Sequence, residues 1–169
     1  MSSPVDIALA LISRPDFEGL RLKLYQCPAG YWTIGIGNRY MPAGKPVTKD
    51  TPPINAATAS AWARNTLAQM WAKATPYIKV PLTTGQRGAL LSFIYNEGVT
   101  AFADSTMLKC INSGRLTQAS NEFAKWDKEH VNGVLTTSAG LAHRRSVEAQ
   151  VFRGEYMPPG LTSTGPAMA

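Results

Sequence analysis

Apolar and polar residues near the start of the chain predict a short helix followed by a β-hairpin. Residues 5–13 have the apolar content of a short helix, which Pro15 closes. From Leu20 to Leu24, leucines alternate with charged residues, which is the period of a half-buried strand. A Pro-Ala-Gly turn follows, and the aromatic and β-branched run at 31–34 predicts the returning strand.

A long helix and a second, capped helix are predicted in the middle of the chain. Asn55 is a suitable N-cap for a helix over about 56–78, which is long enough to join two lobes. Thr83 and Gln86 form a capping-box pattern ahead of an apolar run, and Gly98 is a natural end for that helix.

The last third of the chain has the patterns of short helices, one loop and a tail. Helices are predicted over about 105–114, 116–126 and 141–153. Two glycines within 130–140 indicate a loop, and the segment 158–169 has no periodicity, so we expect it to be mobile.

Composition limits the class of protein without choosing one. The 169 residues suit one domain, and 44% hydrophobic residues are enough for a core. The net charge of +6 favours an anionic partner such as nucleic acid, a membrane surface or a bacterial envelope. Nucleic-acid binding is disfavoured because the basic residues are scattered and no recognition motif is present.

The cysteines and the N-terminus indicate a cytosolic chain without a metal site. Cys27 and Cys110 are far apart and lack metal-ligand spacing, so two free thiols are expected, and no metal or cofactor is predicted. The apolar run from Ile7 to Ile12 is too short to span a bilayer, and no basic segment precedes it as in a signal peptide.

Glu18 is the first candidate for chemistry, because it stands between the predicted helix and the predicted hairpin. Residues 20–25 run away from Glu18 and residues 31–36 come back, so Glu18 and the turn region could face a common cleft. An acid that protonates a glycosidic oxygen needs partial burial beside apolar groups, which such a position can provide. Taken alone, a glutamate at this position is more often a solvated charge.

Several spaced segments, in the same order, resemble the phage-type lysozymes, glycoside hydrolase family 24. The first two are EGLRLKLY and TIGIG, which begin at Glu18 and Thr33. Later segments that resemble the family are LTTGQRGALLSFIYNEG, STMLKCINSG and GLAHRRSVEAQVFRG. The resemblance covers about residues 8–155, and the shared order of so many segments argues against chance agreement.

The resemblance implies a two-lobed α+β fold, with the substrate cleft between the lobes. It implies a small β-hairpin lobe over about 14–55, the linking helix over about 56–78, and a helical lobe over about 79–157. The N-terminal helix would pack on the helical lobe, and residues 1–157 would form one domain.

The resemblance also implies the reaction, hydrolysis of the β-1,4 bond between N-acetylmuramic acid and N-acetylglucosamine in peptidoglycan. Glu18 would be the proton donor, and Thr33 would position a water or the sugar. Asn96 and Tyr31 would contact the sugar, although helix capping and packing are the ordinary roles of such residues. Arg144 would pair with Glu18 and orient it.

Cys27 departs from the best-known members of this family, which have aspartate at that position. A cysteine thiol ordinarily has a pKa of about 8.5, so near neutral pH it carries little charge. Three interpretations stay open: a thiolate that acts as base or nucleophile, a neutral thiol that helps position water, or a small buried turn residue. Lys23 and Arg21 are the nearest basic residues in sequence.

The predicted function is therefore that of an endolysin, monomeric and held in the host cytoplasm until a separate holin-like protein releases it. Two alternatives remain, a lytic transglycosylase, which needs only one acid, and a wall-binding protein without activity. The intact Glu18 argues against a pure binding protein.

Overall fold

The computed structural model describes residues 1–27, 29–131 and 133–165. Within these residues it has seven α-helices and two small antiparallel hairpins, which confirms the predicted α+β class. The elements are α1 (Pro4–Ile12), β1 (Arg21–Gln26), β2 (Trp32–Gly35), α2 (Ala56–Ala74), α3 (Thr84–Glu97), α4 (Val99–Ala103), α5 (Thr106–Asn112), α6 (Leu116–Glu122), β3 (Lys128–Val131), β4 (Val134–Thr137) and α7 (Ala139–Arg153).

The predicted caps begin and end the main helices. Asn55 accepts a hydrogen bond from the backbone of Thr58 at the start of α2. Thr83 and Gln86 form both hydrogen bonds of a capping box at the start of α3. α3 ends just before Gly98, the predicted end, whose φ of +94° favours glycine. The structure confirms these predictions. Caps can be predicted from sequence because each one depends on residues that are close together along the chain.

The core lies around α3, which packs between α1 and α7. Every residue from Gly88 to Ile94 is buried, so this helix is enclosed on all sides. Phe93 packs edge-on against Phe123 and Trp126, whose ring centroids lie 5.7 and 5.2 Å away. A smaller apolar cluster under the first hairpin joins α1 and α2 through residues that include Ile12, Ile36 and Leu67.

β1 pairs with β2, but the leucine alternation does not bury one face of β1. The register joins Tyr25 to Thr33 and Arg21 to Gly35, with an irregularity between the two pairs. Leu20 and Leu22 are 47% and 40% exposed. The expectation that the alternating leucines of this segment share one buried face is therefore wrong for Leu20 and Leu22, which are both exposed.

The second hairpin, β3–β4, corrects the prediction of a loop over 130–140. Its register pairs His130 with Leu135 and Val131 with Val134. β4 is exposed along its whole length, so its sequence lacks the alternation of apolar and polar residues that predicts a strand. The structure also adds α4, a single short helix directly after Gly98.

Part of the C-terminal segment makes contacts, contrary to the expectation of a mobile tail. The backbone N–H of Gly85 donates to Ser163 Oγ at 2.9 Å, and the N–H of Thr162 donates to Ser2 Oγ at 3.0 Å. Leu161 packs against the helical core. Residues 166–169 lie outside the described residues.

In the described part of the chain, no helix combines the length and the apolar character needed to cross a bilayer. Cys27 and Cys110 are both free thiols, as expected, and Cys110 is buried in the helical lobe.

Candidate active site

A cleft of about 570 Å³ separates the β1–β2 hairpin from the helices. Four of the predicted site residues line it: Glu18, Cys27, Thr33 and Asn96. The other lining residues come from the first hairpin and its turns, from α2, from the end of α3 and from β3. Topology therefore brings together side chains from four distant parts of the sequence.

Glu18 stands in the turn between α1 and β1, and its side chain is 23% exposed. Gly19, with φ +66°, lets the chain leave that turn, and its N–H donates to the carbonyl of Ile12. Arg144 Nη1 on α7 donates to Glu18 Oε1 at 2.7 Å. The carboxyl group is thus held from the helical side and faces the cleft.

The Gly-Ile-Gly run at the end of β2 has a steric reason at its second glycine. A Cβ on Gly37, whose φ is +71°, would lie 2.7 Å from Glu18 Oε2, closer than real contacts allow. Tyr95 on α3 fixes the same loop, because its hydroxyl donates to the carbonyl of Ile36 at 2.6 Å. Burial, and then the nearby Glu18 charge, raise the pKa of Tyr95 far above its usual value. Sequence reasoning missed Tyr95, which looks like an ordinary helix residue.

Arg144 is almost completely buried, and each of its three guanidinium nitrogens donates a hydrogen bond. Besides the bond to Glu18, Nε donates to Glu148 Oε1 at 3.2 Å and Nη2 donates to the backbone carbonyl of Ser92 at 3.1 Å. Burial lowers the pKa of Arg144, but the charges of Glu148 and Glu18 outweigh it, so the pKa is raised. Arg144 therefore stays cationic in the wall of the site.

Arg145, the next residue, holds the end of α3. Its Nη2 donates to Asn96 Oδ1 at 2.9 Å, and Nη1 donates to Glu97 Oε1 at 3.3 Å. The amide NH₂ of Asn96 makes no hydrogen bond to the described residues, so it can donate to a ligand. Burial raises the pKa of Glu97, and the charge of Arg145 opposes that rise.

Thr33 and Cys27 lie on the hairpin wall of the cleft. The hydroxyl of Thr33 donates to the carbonyl of Tyr31 at 2.9 Å, so its oxygen can still accept a hydrogen bond from a water. The backbone N–H of Cys27 donates to the same carbonyl at 3.0 Å, which closes the turn. Arg21 was a candidate basic neighbour of the Cys27 thiol. Its guanidinium instead stacks on the ring of Tyr25, 4.2 Å from the ring centroid.

Tyr31, the predicted sugar contact, is not among the residues that line the cleft. Its ring is more than half exposed, and the guanidinium of Arg39 lies 4.1 Å from the ring centroid. Arg39 itself lines the cleft. One face of Tyr31 is thus covered by Arg39.

Several lining residues had no signal in the sequence. Glu129 and His130 reach the cleft from β3, the strand that was predicted as loop. Asn38 is buried, donates to Thr66 Oγ1 at 3.4 Å, and has no partner for its side-chain oxygen among the described residues. Burial, and then the Glu18 charge, raise the pKa of Tyr25 to about 12. The positions of these lining residues depend on packing between elements that are distant in sequence.

The two-lobed fold and the cleft with its held glutamate define a glycosidase of the lysozyme type. The family model for phage lysozyme matches residues 15–148, and the chain belongs to this family. It is accordingly a muramidase, and its relatives are phage endolysins.

Relatives in sequence and structure agree with this assignment. The chain is 44% identical to an endolysin of Acyrthosiphon pisum secondary endosymbiont phage 1, over 85% of this chain and 93% of the relative. The structure of the endolysin from Escherichia coli O157:H7 phage FAHEc1 matches with a TM-score of 0.80 and 34% identity, over 92% of this chain and 93% of that chain. The structure of a point mutant of P22 lysozyme matches with a TM-score of 0.72 and 29% identity, over 90% of this chain and 99% of that chain.

Proposed function

We propose that this chain hydrolyses the β-1,4 bond between N-acetylmuramic acid and N-acetylglucosamine in peptidoglycan, with Glu18 as the proton donor. One observation carries the proposal: the carboxyl group of Glu18 is held by Arg144 at 2.7 Å from behind while it lines the cleft. A held carboxyl group can present its proton to one bridging oxygen at a fixed distance, which is what general acid catalysis requires.

The other reactant in this proposal is a water on the hairpin side. Protonation of the bridging oxygen lets the glycosidic bond break, and the sugar carbon gains oxocarbenium-like character. Thr33 Oγ1 accepts a hydrogen bond from the attacking water, and the Cys27 thiol lies on the same wall. The water adds its oxygen to the sugar carbon, and its proton leaves to solvent or to Glu18.

Replacement of Glu18 by glutamine tests the function. Glu18→Gln keeps the shape and a hydrogen bond to Arg144 but cannot donate a carboxyl proton, so the release of reducing ends from purified sacculi should fall at least about 100-fold. Circular dichroism and thermal unfolding would establish that the variant is folded. A folded Glu18→Gln variant with parental activity would end the proposal.

A lytic transglycosylase is the second candidate, because position 27 has a thiol in place of a carboxylate. Transglycosylation also needs one acid, but the sugar's own 6-hydroxyl attacks and no water is consumed. Mass spectrometry of released muropeptides separates the two reactions: hydrolysis gives reducing ends, and transglycosylation gives 1,6-anhydro ends. We expect reducing ends.

The cellular setting belongs to the same proposal. The net charge of +6 favours adhesion to the anionic wall. We further propose that the protein is a monomer. It would be stored in the host cytoplasm and released by a separate holin-like protein. A lysis assay with and without a membrane-permeabilising agent, and light scattering for the mass, test these parts.

A further inference from the structure

A buried carboxylate, Glu148, lies behind the candidate acid. It is on α7 one turn after Arg144 and is fully buried. Its Oε1 accepts hydrogen bonds from Ser92 Oγ at 2.6 Å and from Arg144 Nε at 3.2 Å. Its Oε2 lies 3.0 Å from Arg145 Nε, although the angle between them is unsuitable for a hydrogen bond.

Burial of a carboxylate is costly unless something compensates it, and the two arginines do so here. A simpler core would have an apolar residue at this position and a single arginine for Glu18. Such an arrangement would leave the whole positive charge of Arg144 facing the catalytic carboxyl group. An adjacent unshared cation favours the ionised carboxylate, whereas a proton donor must reach the substrate with its proton.

We infer that Glu148 is a positioning residue for the reaction: it fixes the guanidinium of Arg144 and shares its charge, so that Glu18 is oriented without being forced to ionise. The geometry supports this division. Arg144 presents Nη1 to Glu18 and Nε to Glu148, so the two carboxyl groups occupy different edges of one guanidinium. This inference rests on the proposed role of Glu18.

Other groups around Glu18 do not supply this effect. Tyr25 and Tyr95 face it from β1 and α3, and burial raises the pKa of both, so they stay neutral. Cys27 lines the same cleft from the hairpin. Glu129 and His130 line it from β3, which packs on α7. Arg145 adds a second positive charge, which Glu97 and Glu148 both face. Arg39 also lines the cleft, with its guanidinium on the ring of Tyr31.

The experiment compares pH–activity profiles on sacculi for the parent, Glu148→Gln and Glu122→Gln. Without the charge of Glu148, the whole charge of Arg144 acts on Glu18 and favours its ionised form. The alkaline limb of the profile should therefore shift to lower pH, by about one pH unit. Activity on that limb should fall roughly tenfold at a given pH. Glu122 is a mostly buried carboxylate that pairs with Lys125 and does not line the cleft, so its variant should keep the parental limb.

Because a thiol also titrates at alkaline pH, the same comparison is made in a Cys27→Ala background. The downward shift should persist there. An unmoved or raised limb in a folded Glu148→Gln variant would overturn the inference, as would an equal shift in Glu122→Gln.

A charge-preserving variant covers the case in which Glu148→Gln does not fold. Glu148→Asp keeps the negative charge but draws it back from Arg144 by one methylene, so the alkaline limb should move to lower pH by less than in Glu148→Gln. A limb that stays or moves to higher pH would contradict the inference. Failure of the proposed function is seen separately, as full activity of Glu18→Gln.

Discussion

At the scale of single residues, the surroundings of Cys27 bear on which of its three predicted roles we propose. Arg21 stacks on Tyr25, and Lys23 is exposed, so neither basic neighbour in sequence is placed by a described contact to activate the thiol. Of the three interpretations, we propose the one in which the thiol positions water together with Thr33, since both line the same wall of the cleft. A buried turn residue fits less well, since Cys27 lines the cleft.

We therefore expect Cys27→Ser and Cys27→Asp to keep activity within a few-fold, and Cys27→Ala to lose about tenfold. The reason is that serine and aspartate can still accept a hydrogen bond from water, whereas alanine cannot. Initial rates on sacculi between pH 5 and pH 9 measure this. If the thiolate were the base, Cys27→Ala would instead remove a limb that rises with pH, and Cys27→Ser would not restore it.

Gly37 gives a second prediction at this scale. Gly37→Ala places a Cβ against the Glu18 carboxylate, so kcat should fall by at least tenfold while the protein stays folded. Gly44→Ala is the matched control, because Gly44 has a similar φ of +76° but open space around it. Both variants should lose about 1 kcal/mol of stability from backbone strain. Equal activity in the two variants would show that the contact with Glu18 is unimportant.

At the scale of elements, α1 and α3 approach closely because Gly88 has no side chain. A Cβ there would lie 2.5 Å from Ile7 Cγ2, so Gly88→Ala should reduce the free energy of unfolding by about 1–3 kcal/mol. Alanine is intrinsically the better helix former by about 1 kcal/mol. Gly140→Ala on α7, where the nearest atom is 3.7 Å away, should therefore be neutral or stabilising. Urea unfolding of both variants checks the difference in sign.

The capping box of α1 makes stability depend on pH. Backbone and side-chain hydrogen bonds from Ser3, and then the guanidinium of Arg64, lower the pKa of Asp6 to about 2. The folded state therefore prefers the ionised form, and this contribution is present above the unfolded value near 4 and is lost as pH falls through about 2. Asp6→Asn should flatten the pH dependence of urea midpoints in that window. Asp50→Asn, at an exposed pair with Lys49, should not.

At the scale of the whole molecule, the C-terminal segment joins the first turn of α3 to the N-terminus. Deletion of residues 161–169 should lower the free energy of unfolding by about 1–2 kcal/mol, since the N–H of Gly85 loses its acceptor and Leu161 leaves the core. Ser163→Ala should show part of this loss. Activity below the melting range should be unchanged because none of residues 161–165, the described part of the segment, lines the cleft. A truncated protein of parental stability would restore the expectation of a mobile tail.

The sequence predicted most helices and the first hairpin, and it failed where an element is exposed or defined by distant contacts. Caps such as Asn55 and Thr83 act on the backbone three residues ahead, so they can be read locally. β3 and β4 bury no face, and their amphipathic signal is therefore missing. The bounds of the two lobes stay an interpretation.

Some residues of the candidate site could likewise be found from the sequence, and others only from the packing of distant elements. The motif around Glu18 and Thr33 and the Arg-Arg pair of α7 carried the resemblance to phage lysozymes, which the family match confirms. The positions of Tyr95, Glu129 and Glu148 around the site depend on how α3, β3 and α7 pack.

The sequence by itself thus determined the local elements, the family and the candidate acid, because those depend on short-range hydrogen bonds and on residues that stand in a recognisable order. The resemblance also implied Arg144 as the partner of that acid, and the tertiary structure has this contact across 126 positions of chain. Only the tertiary structure decided which carboxylate shares the arginine. The physical reason is that the charge environment of a buried group is set by every element packed around it, and no single segment of sequence contains that sum.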